Sequence, residues 1–211
     1  MLVVAKKIFT SFIKNVMKVE YQCSPAFRAK FVNSINIGKL NNSFAKYADS
    51  KVSFVEIEPH NDVDIDALEK CSKYWSYAKF TDNIYQVADS IRNNSKYHNK
   101  NKVYALTSQT DKFEKLNQDK ILGLIHVSPL EDKTIFIDNL QVKPDIIYTN
   151  KPEYKGVGTG ILTSLKLLAD KIKLFPTKEK SVRDFYERNG FFEFPVGSNI
   201  FTWVKALYPQ K

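Results

Sequence analysis

Residues 155–160 read Lys155-Gly156-Val157-Gly158-Thr159-Gly160, with three glycines at alternate positions directly ahead of an apolar run that begins Ile161-Leu162. Having no Cβ, the glycines let the backbone approach a neighbour closely, and the run behind them has the spacing of a helix. The first turn of such a helix carries N–H groups without intrahelical acceptors and a partial positive charge, so this segment suits a phosphate. Two familiar phosphate loops do not fit it. A Walker loop needs Gly-Lys-Ser/Thr, and Gly160 is followed by Ile161. A dinucleotide fingerprint needs a glycine at position 161 and a tight turn from the preceding strand, whereas thirteen residues separate Val142 from Gly156. A turn with purely structural glycines is the competing reading.

The rest of the chain supplies the frame. Residues 52–58 alternate apolar and polar and stop at Pro59, which predicts a strand. Helical spacing follows over 64–75 and 82–92, then a polar loop over 93–102. Short apolar segments at 103–108 and 121–127 read as a hairpin of strands joined by the polar loop 109–120. Another strand covers 133–142 and is stopped by Pro144; a loop covers 145–154. A helix is expected over 158–172 and a short strand over 173–176. A second helix over 179–188 closes at Asn189-Gly190, and strands at 191–194 and 199–205 end the pattern. Residues 21–50, with Pro25, Gly38 and several Asn and Ser, read as a connector with at most a short helix over 43–48. Residues 2–17 place Leu2, Ala5, Phe9, Phe12, Ile13 and Val16 on one side of a helical wheel. That pattern fits a membrane-surface helix, a partner-docking helix, a helix packed on its own domain or a loose extension.

Charge and cysteine content narrow the function classes. Residues 1–50 hold eight basic and two acidic side chains, so +6 of the net +9 lies in the first quarter of the chain. Only Arg28, Arg92, Arg183 and Arg188 are arginine, against 28 lysines, a balance unlike that of dedicated nucleic-acid readers. Cys23 and Cys71 are the only cysteines, with no CxxC and no histidine at ligand spacing, so neither a disulfide framework nor a metal site is expected. No apolar run is long enough to span a bilayer, and Lys6 and Lys7 break the apolar start, so a cytoplasmic protein is expected.

Three segments in order carry a family resemblance: Leu140-Gln141-Val142-Lys143-Pro144, the glycine loop, and Phe185-Tyr186-Glu187-Arg188-Asn189-Gly190-Phe191. Over about residues 121–194 this set resembles the GNAT superfamily of N-acetyltransferases. There a strand ends Leu-x-Val-x-Pro, the loop reads Arg/Gln-x-x-Gly-x-Gly/Ala, and a later helix reads Phe-Tyr-x-x-x-Gly-Phe. Lys155 stands where the family has Arg or Gln, and the link 145–154 is longer than usual. The resemblance implies an α+β fold, a central mostly antiparallel mixed sheet of about seven strands splayed in the middle. About four helices flank it, with residues 1–50 as a basic, partly helical extension and 51–211 as the acyltransferase domain.

The resemblance also implies a chemistry. Acetyl-CoA, as co-substrate, would lie in the splay. Leu140, Gln141 and Val142 would line its pantetheine arm, and the amides of Val157, Gly158, Thr159 and Gly160, with Gly156 and Lys155, would hold the pyrophosphate. Tyr186 matches the position that protonates the departing thiolate. Asp138 is the candidate base, because strand alternation places Phe136, Asp138, Leu140 and Val142 on one face. His126, near the end of the preceding strand, is a second candidate, while His60 and His98 lie in turn and loop contexts. The expected activity is acetyl transfer to a primary amine of unidentified type by direct attack. The alternative is a catalytically degenerate acyl-CoA-binding module, or one that docks on nucleic acid or a membrane surface through residues 1–50.

Overall fold

Val103 and Ala105 are buried together with Tyr104 and Leu106, although neighbouring residues of a strand point to opposite faces. Both faces of the sheet must therefore be covered. The computed structural model describes residues 28–41, 43, 45–75, 79–93, 100–113 and 115–207, and in it helices cover both faces.

The elements in chain order are β1 (Lys30–Asn41), β2 (Lys46–Glu56), α1 (Asp62–Tyr74), α2 (Lys79–Asn93), β3 (Lys102–Thr107), β4 (Ile121–Pro129) and β5 (Thr134–Val142). There follow α3 (Pro144–Ile147), β6 (Tyr154–Lys155), α4 (Val157–Lys166), β7 (Lys171–Leu174), α5 (Lys180–Arg188), β8 (Phe192–Glu193) and β9 (Phe201–Val204). The strands form one nine-stranded sheet in the order β6-β1-β2-β3-β4-β5-β7-β9-β8. Among the described residues only β5 and β7 run parallel; every other pair is antiparallel. The mixed, mostly antiparallel α+β sheet expected from the sequence is present, with two more strands than foreseen.

Two cores follow from the alternation. On one face Ile65, Leu68 and Cys71 of α1 and Ile84 and Ala88 of α2 pack on Val55, Val103, Ala105 and Leu124. On the other, Val157, Ile161, Leu162 and Leu165 of α4 pack on Val52, Phe54, Leu106 and Ile125, joined by Tyr186 of α5. The Cys71 thiol is free and buried, and burial pushes its pKa up to about 12, which makes it inert.

The N-terminal quarter differs from expectation. The boundary at 50/51 falls inside β2, and residues 30–56 form a long hairpin of the sheet itself, paired from Lys30↔Glu56 to Asn41↔Lys46. No helix occupies 43–48 among the described residues; Ser43 and Ala45 lie in the hairpin turn, where Ser43 N–H donates to Asn41 Oδ1 (3.0 Å). Asn, Ser and Gly suggest a connector, yet Ile35 and Ile37 alternate and give β1 a face that meets α4. The basic residues there are partly paired, Lys30 with Glu58 (3.6 Å) and Lys39 with Glu153 (3.4 Å). The helix expected over 2–17 lies outside the described residues.

The helix expected over 158–172 ends at Lys166 instead. Residues 171–174 alternate half-buried and buried side chains as a strand, and Asp170 N–H donates to Lys133 O (3.0 Å), tying that strand's start to β5.

Asp64, in the first turn of α1, is fully buried, and its Oδ2 accepts from the Glu58 backbone N–H (3.0 Å). Burial foremost, and the nearby Glu58 carboxylate in addition, raise its pKa from 3.8 to about 7, against the lowering effect of that hydrogen bond. Between about pH 4 and about pH 7 the folded protein therefore holds a proton that the unfolded chain has released, so stability falls as pH rises through this window. Asp64→Asn is expected to flatten that slope in urea denaturation at pH 4.5, 6 and 7.5; an unchanged slope would assign it to other groups.

Candidate active site

β7 runs beside β5 only from Thr134↔Lys171 to Ile137↔Leu174. Two local features end the pairing. On β5 the register against β4 jumps from Val127↔Ile137 to His126↔Asn139, so Asp138 is the extra residue of a β-bulge, which bends the strand. On the other side Pro176 follows β7 closely and has no N–H to continue a ladder. Phe175 between them packs its ring on Phe136, centroids 5.5 Å apart. The strands part into a cleft of about 730 Å³, lined by residues 137–142, the start of α4, residues 174–177 and the inner side of α5. The expected splay is therefore present, and among the described residues no strand lies against that edge of β5 beyond Ile137.

The bulge corrects one expectation. Phe136, Asp138, Leu140 and Val142 do not share a face, because Ile135 and Ile137 belong to the same core as Leu140 and Val142. One extra residue shifts the alternation by one position.

At the far end of the cleft stands the glycine loop. Gly156 has φ +79° and caps α4; a Cβ there would be strained, although it would meet no atom. Gly160 N–H donates to Gly156 O (2.8 Å), the first bond of the helix. The N–H groups of Val157, Gly158 and Thr159 thus have no acceptor within the helix, and all three residues line the cleft. A Cβ on Gly158 would lie 3.1 Å from Phe185 Cζ and 3.6 Å from Val142 Cγ2, so this glycine lets α4 close up on β5 and α5 together.

Gly160 and Lys155 sit elsewhere. A Cβ on Gly160 would lie 2.6 Å from Ile35 Cδ1, 3.2 Å from Ile37 and 3.3 Å from Leu106, which makes it a packing glycine under the sheet. Neither residue lines the cleft, and the Lys155 ammonium rests over the Tyr47 ring, 4.1 Å from its centroid. Any anion at this end is met by backbone N–H groups and the helix dipole rather than by the lysine.

Tyr186 lies in the cleft wall, buried, with Phe185 and Phe191 edge-on at 5.1 and 5.6 Å between ring centroids. Burial pushes its pKa up to about 12, so the hydroxyl is protonated at pH 7. Leu140, Gln141 and Val142 line the open strand, and the Gln141 side chain donates to Val142 O (2.8 Å).

Asp138 lines the cleft with its side chain 29% exposed, and its Oδ2 accepts from Ser128 Oγ (2.8 Å). His126 stands behind it, buried, with Nε2 3.7 Å from the same oxygen. The imidazole bridges Asn101 Oδ1 (Nε2, 2.9 Å) and Asn139 Nδ2 (Nδ1, 3.3 Å). With the Asn139 amide donating to Nδ1, the proton sits on Nε2 and points at the two oxygens. Burial lowers the His126 pKa, outweighing the opposing effect of Asp138, so the ring is neutral at pH 7. The two candidate bases thus form one network, but Asp138 alone of them lines the cleft.

The sequence reading did not single out Phe80, Phe175, Ile147 or Tyr148, which also line the cleft. Pro176 behind Phe175 was the available signal for a strand end. α3 within the long 145–154 link, starting at Pro144, was the signal for Ile147 and Tyr148.

No family model and no curated protein matches the chain. It is similar to solved structures at low identity. One is a GNAT-family protein of Desulfovibrio desulfuricans: 14% identity, 72% of this chain and 98% of that one covered, TM-score 0.48. Another is a GNAT-family acetyltransferase of Staphylococcus aureus: 16% identity, 76% and 92% covered, TM-score 0.41. A third is a GNAT-family acetyltransferase of Elizabethkingia anophelis with acetyl-CoA bound: 16% identity, 53% and 80% covered, TM-score 0.36.

Gly160→Val is expected to cost about 1–3 kcal/mol in urea denaturation, from crowding against Ile37 and Leu106. A loss below about 0.5 kcal/mol would show that β1 and β3 yield freely to α4.

Proposed function

We propose that the protein transfers the acetyl group of acetyl-CoA to a primary amine by direct attack in this cleft. The observation that carries the reading is the parting of β5 from β7 beside the three free N–H groups at the start of α4. Five residues, 138–142, line the cleft between the bulge and the glycine loop, a run of roughly 13 Å at about 3.3 Å per residue. That is about the reach of an extended pantetheine arm. The residues fit the group: an unpaired strand edge for its amides and anion-binding N–H groups at the Val142 end. The thioester supplies the activated acyl group.

Asp138 takes the proton of the arriving ammonium. Ser128 and His126 both approach Oδ2, which holds the carboxylate in one orientation while Oδ1 faces no side-chain donor among the described residues. His126, neutral and occupied on both nitrogens, is a positioning residue. The amine nitrogen then bonds to the thioester carbon; as the carbon–sulfur bond breaks, the surplus proton of that nitrogen passes to the departing sulfur, leaving the amide and the CoA thiol. Tyr186 donates a hydrogen bond to the departing sulfur. Its pKa of about 12 lies roughly 3.5 units above that of an ordinary thiol, a gap of about 5 kcal/mol, so complete transfer of its proton to a free thiolate is uphill. Stabilising charge as it develops is the role this geometry supports.

Isothermal titration with acetyl-CoA and a CoA-release assay with an amine panel test the reading. Tyr186→Phe is expected to lower kcat about 10–100-fold with acetyl-CoA affinity kept within about threefold. Asp138→Asn should lower kcat/KM at least about 10²-fold at pH 7. Lys155→Ala should change acetyl-CoA affinity less than about twofold. Failure to bind acetyl-CoA would overturn the proposal.

The pH profile offers an independent check. A hydroxyl that ionises near pH 12 stays protonated to about pH 10, so Tyr186 contributes no falling limb below that point. A limb near pH 9 that vanishes in Tyr186→Phe would contradict the assignment.

A further inference from the structure

We infer that the acceptor is a primary amine on an apolar, aromatic frame without a carboxylate or phosphate; this rests on the acetyl-transfer reading above. Among the described residues Asp138 is the one charged side chain in the cleft lining. The Asp138 end is where the acceptor must approach, since the opposite end, at Val142, abuts the glycine loop. Phe175 follows Leu174, the partner of Ile137 in the sheet, and so stands across from Asp138. It is 61% exposed, held from behind by Phe136. Phe80, at the start of α2, lines the same cleft and is 38% exposed. Pro176 extends the apolar wall.

Such a mouth offers one carboxylate for one ammonium and two aromatic faces for the body behind it. A substrate carboxylate or phosphate would meet no cation among the described lining residues, and would sit next to a like charge. A polyamine would find one carboxylate for several ammonium groups. An amino sugar would set its ring hydroxyls against the exposed Phe80 and Phe175 rings.

The test compares 2-phenylethylamine, phenylalanine, spermidine and glucosamine as acceptors for the full chain at saturating acetyl-CoA. The expected result is a kcat/KM for 2-phenylethylamine at least about 10²-fold above that for phenylalanine, which differs by one carboxylate. Phe175→Ala should raise KM for 2-phenylethylamine about tenfold with kcat changed less than about threefold. Equal or better use of phenylalanine, spermidine or glucosamine overturns the inference, as does turnover of none of the four while acetyl-CoA still binds by calorimetry. Loss of acetyl-CoA binding itself would instead overturn the acetyl-transfer reading.

Discussion

Beyond Ile137 the edge of β5 has no strand beside it among the described residues, and a strand edge is a row of N–H and C=O groups that must find partners. In a sheet interior a neighbouring strand supplies them. Here the bulge at Asp138 bends one strand away, and Pro176 prevents the other from following. The result is a persistent slot in the middle of a nine-stranded sheet, open to water or to an extended ligand with amide groups of its own. The Gln141 side chain covers one carbonyl of this stretch, that of Val142.

The slot keeps its shape because its walls are anchored elsewhere. α4 is pressed onto β1 and β3 through Gly160, and Ser164 Oγ donates to Asn33 Oδ1 (2.9 Å). The N-terminal hairpin is thus the floor that fixes where the free N–H groups of α4 stand. α5 closes the other side through Phe185, whose ring contacts Gly158 only because no Cβ intervenes. Of the three alternating glycines, one sets a left-handed turn, one narrows the cleft and one packs under the sheet.

Global and local charge point in different directions. The chain carries +9, yet the described cleft lining holds one carboxylate and no cation. The basic residues that the structure describes lie off this lining and bear on the approach of anionic molecules at long range. An anion inside the cleft would meet backbone dipoles at the α4 end, while the Asp138 end favours positive charge. The Ser128–Asp138–His126 network keeps that carboxylate oriented, with the imidazole neutral because burial outweighs the attraction of its neighbour.

The motif segments determined much of this by themselves. Gly156 ahead of an apolar run, Pro144 as a strand stop, and Asn189-Gly190 after α5 act over a few residues, so local sterics make them legible. The unbroken apolar run of β3, Val103 to Leu106, is likewise the local mark of a strand covered on both faces. What stayed hidden depends on contacts between distant segments. Ile35 and Ile37 become strand residues because α4 lies on them, overriding the loop-forming Asn, Ser and Gly around them. The bulge at Asp138 exists only as a mismatch between β4 and β5, and it turns a half-exposed strand residue into the one carboxylate of the cleft. Lys155 leaves the site for the Tyr47 ring, 108 residues earlier. Local backbone chemistry could write the loop and the stops; which side chains meet in the cleft was decided by register and by packing between layers.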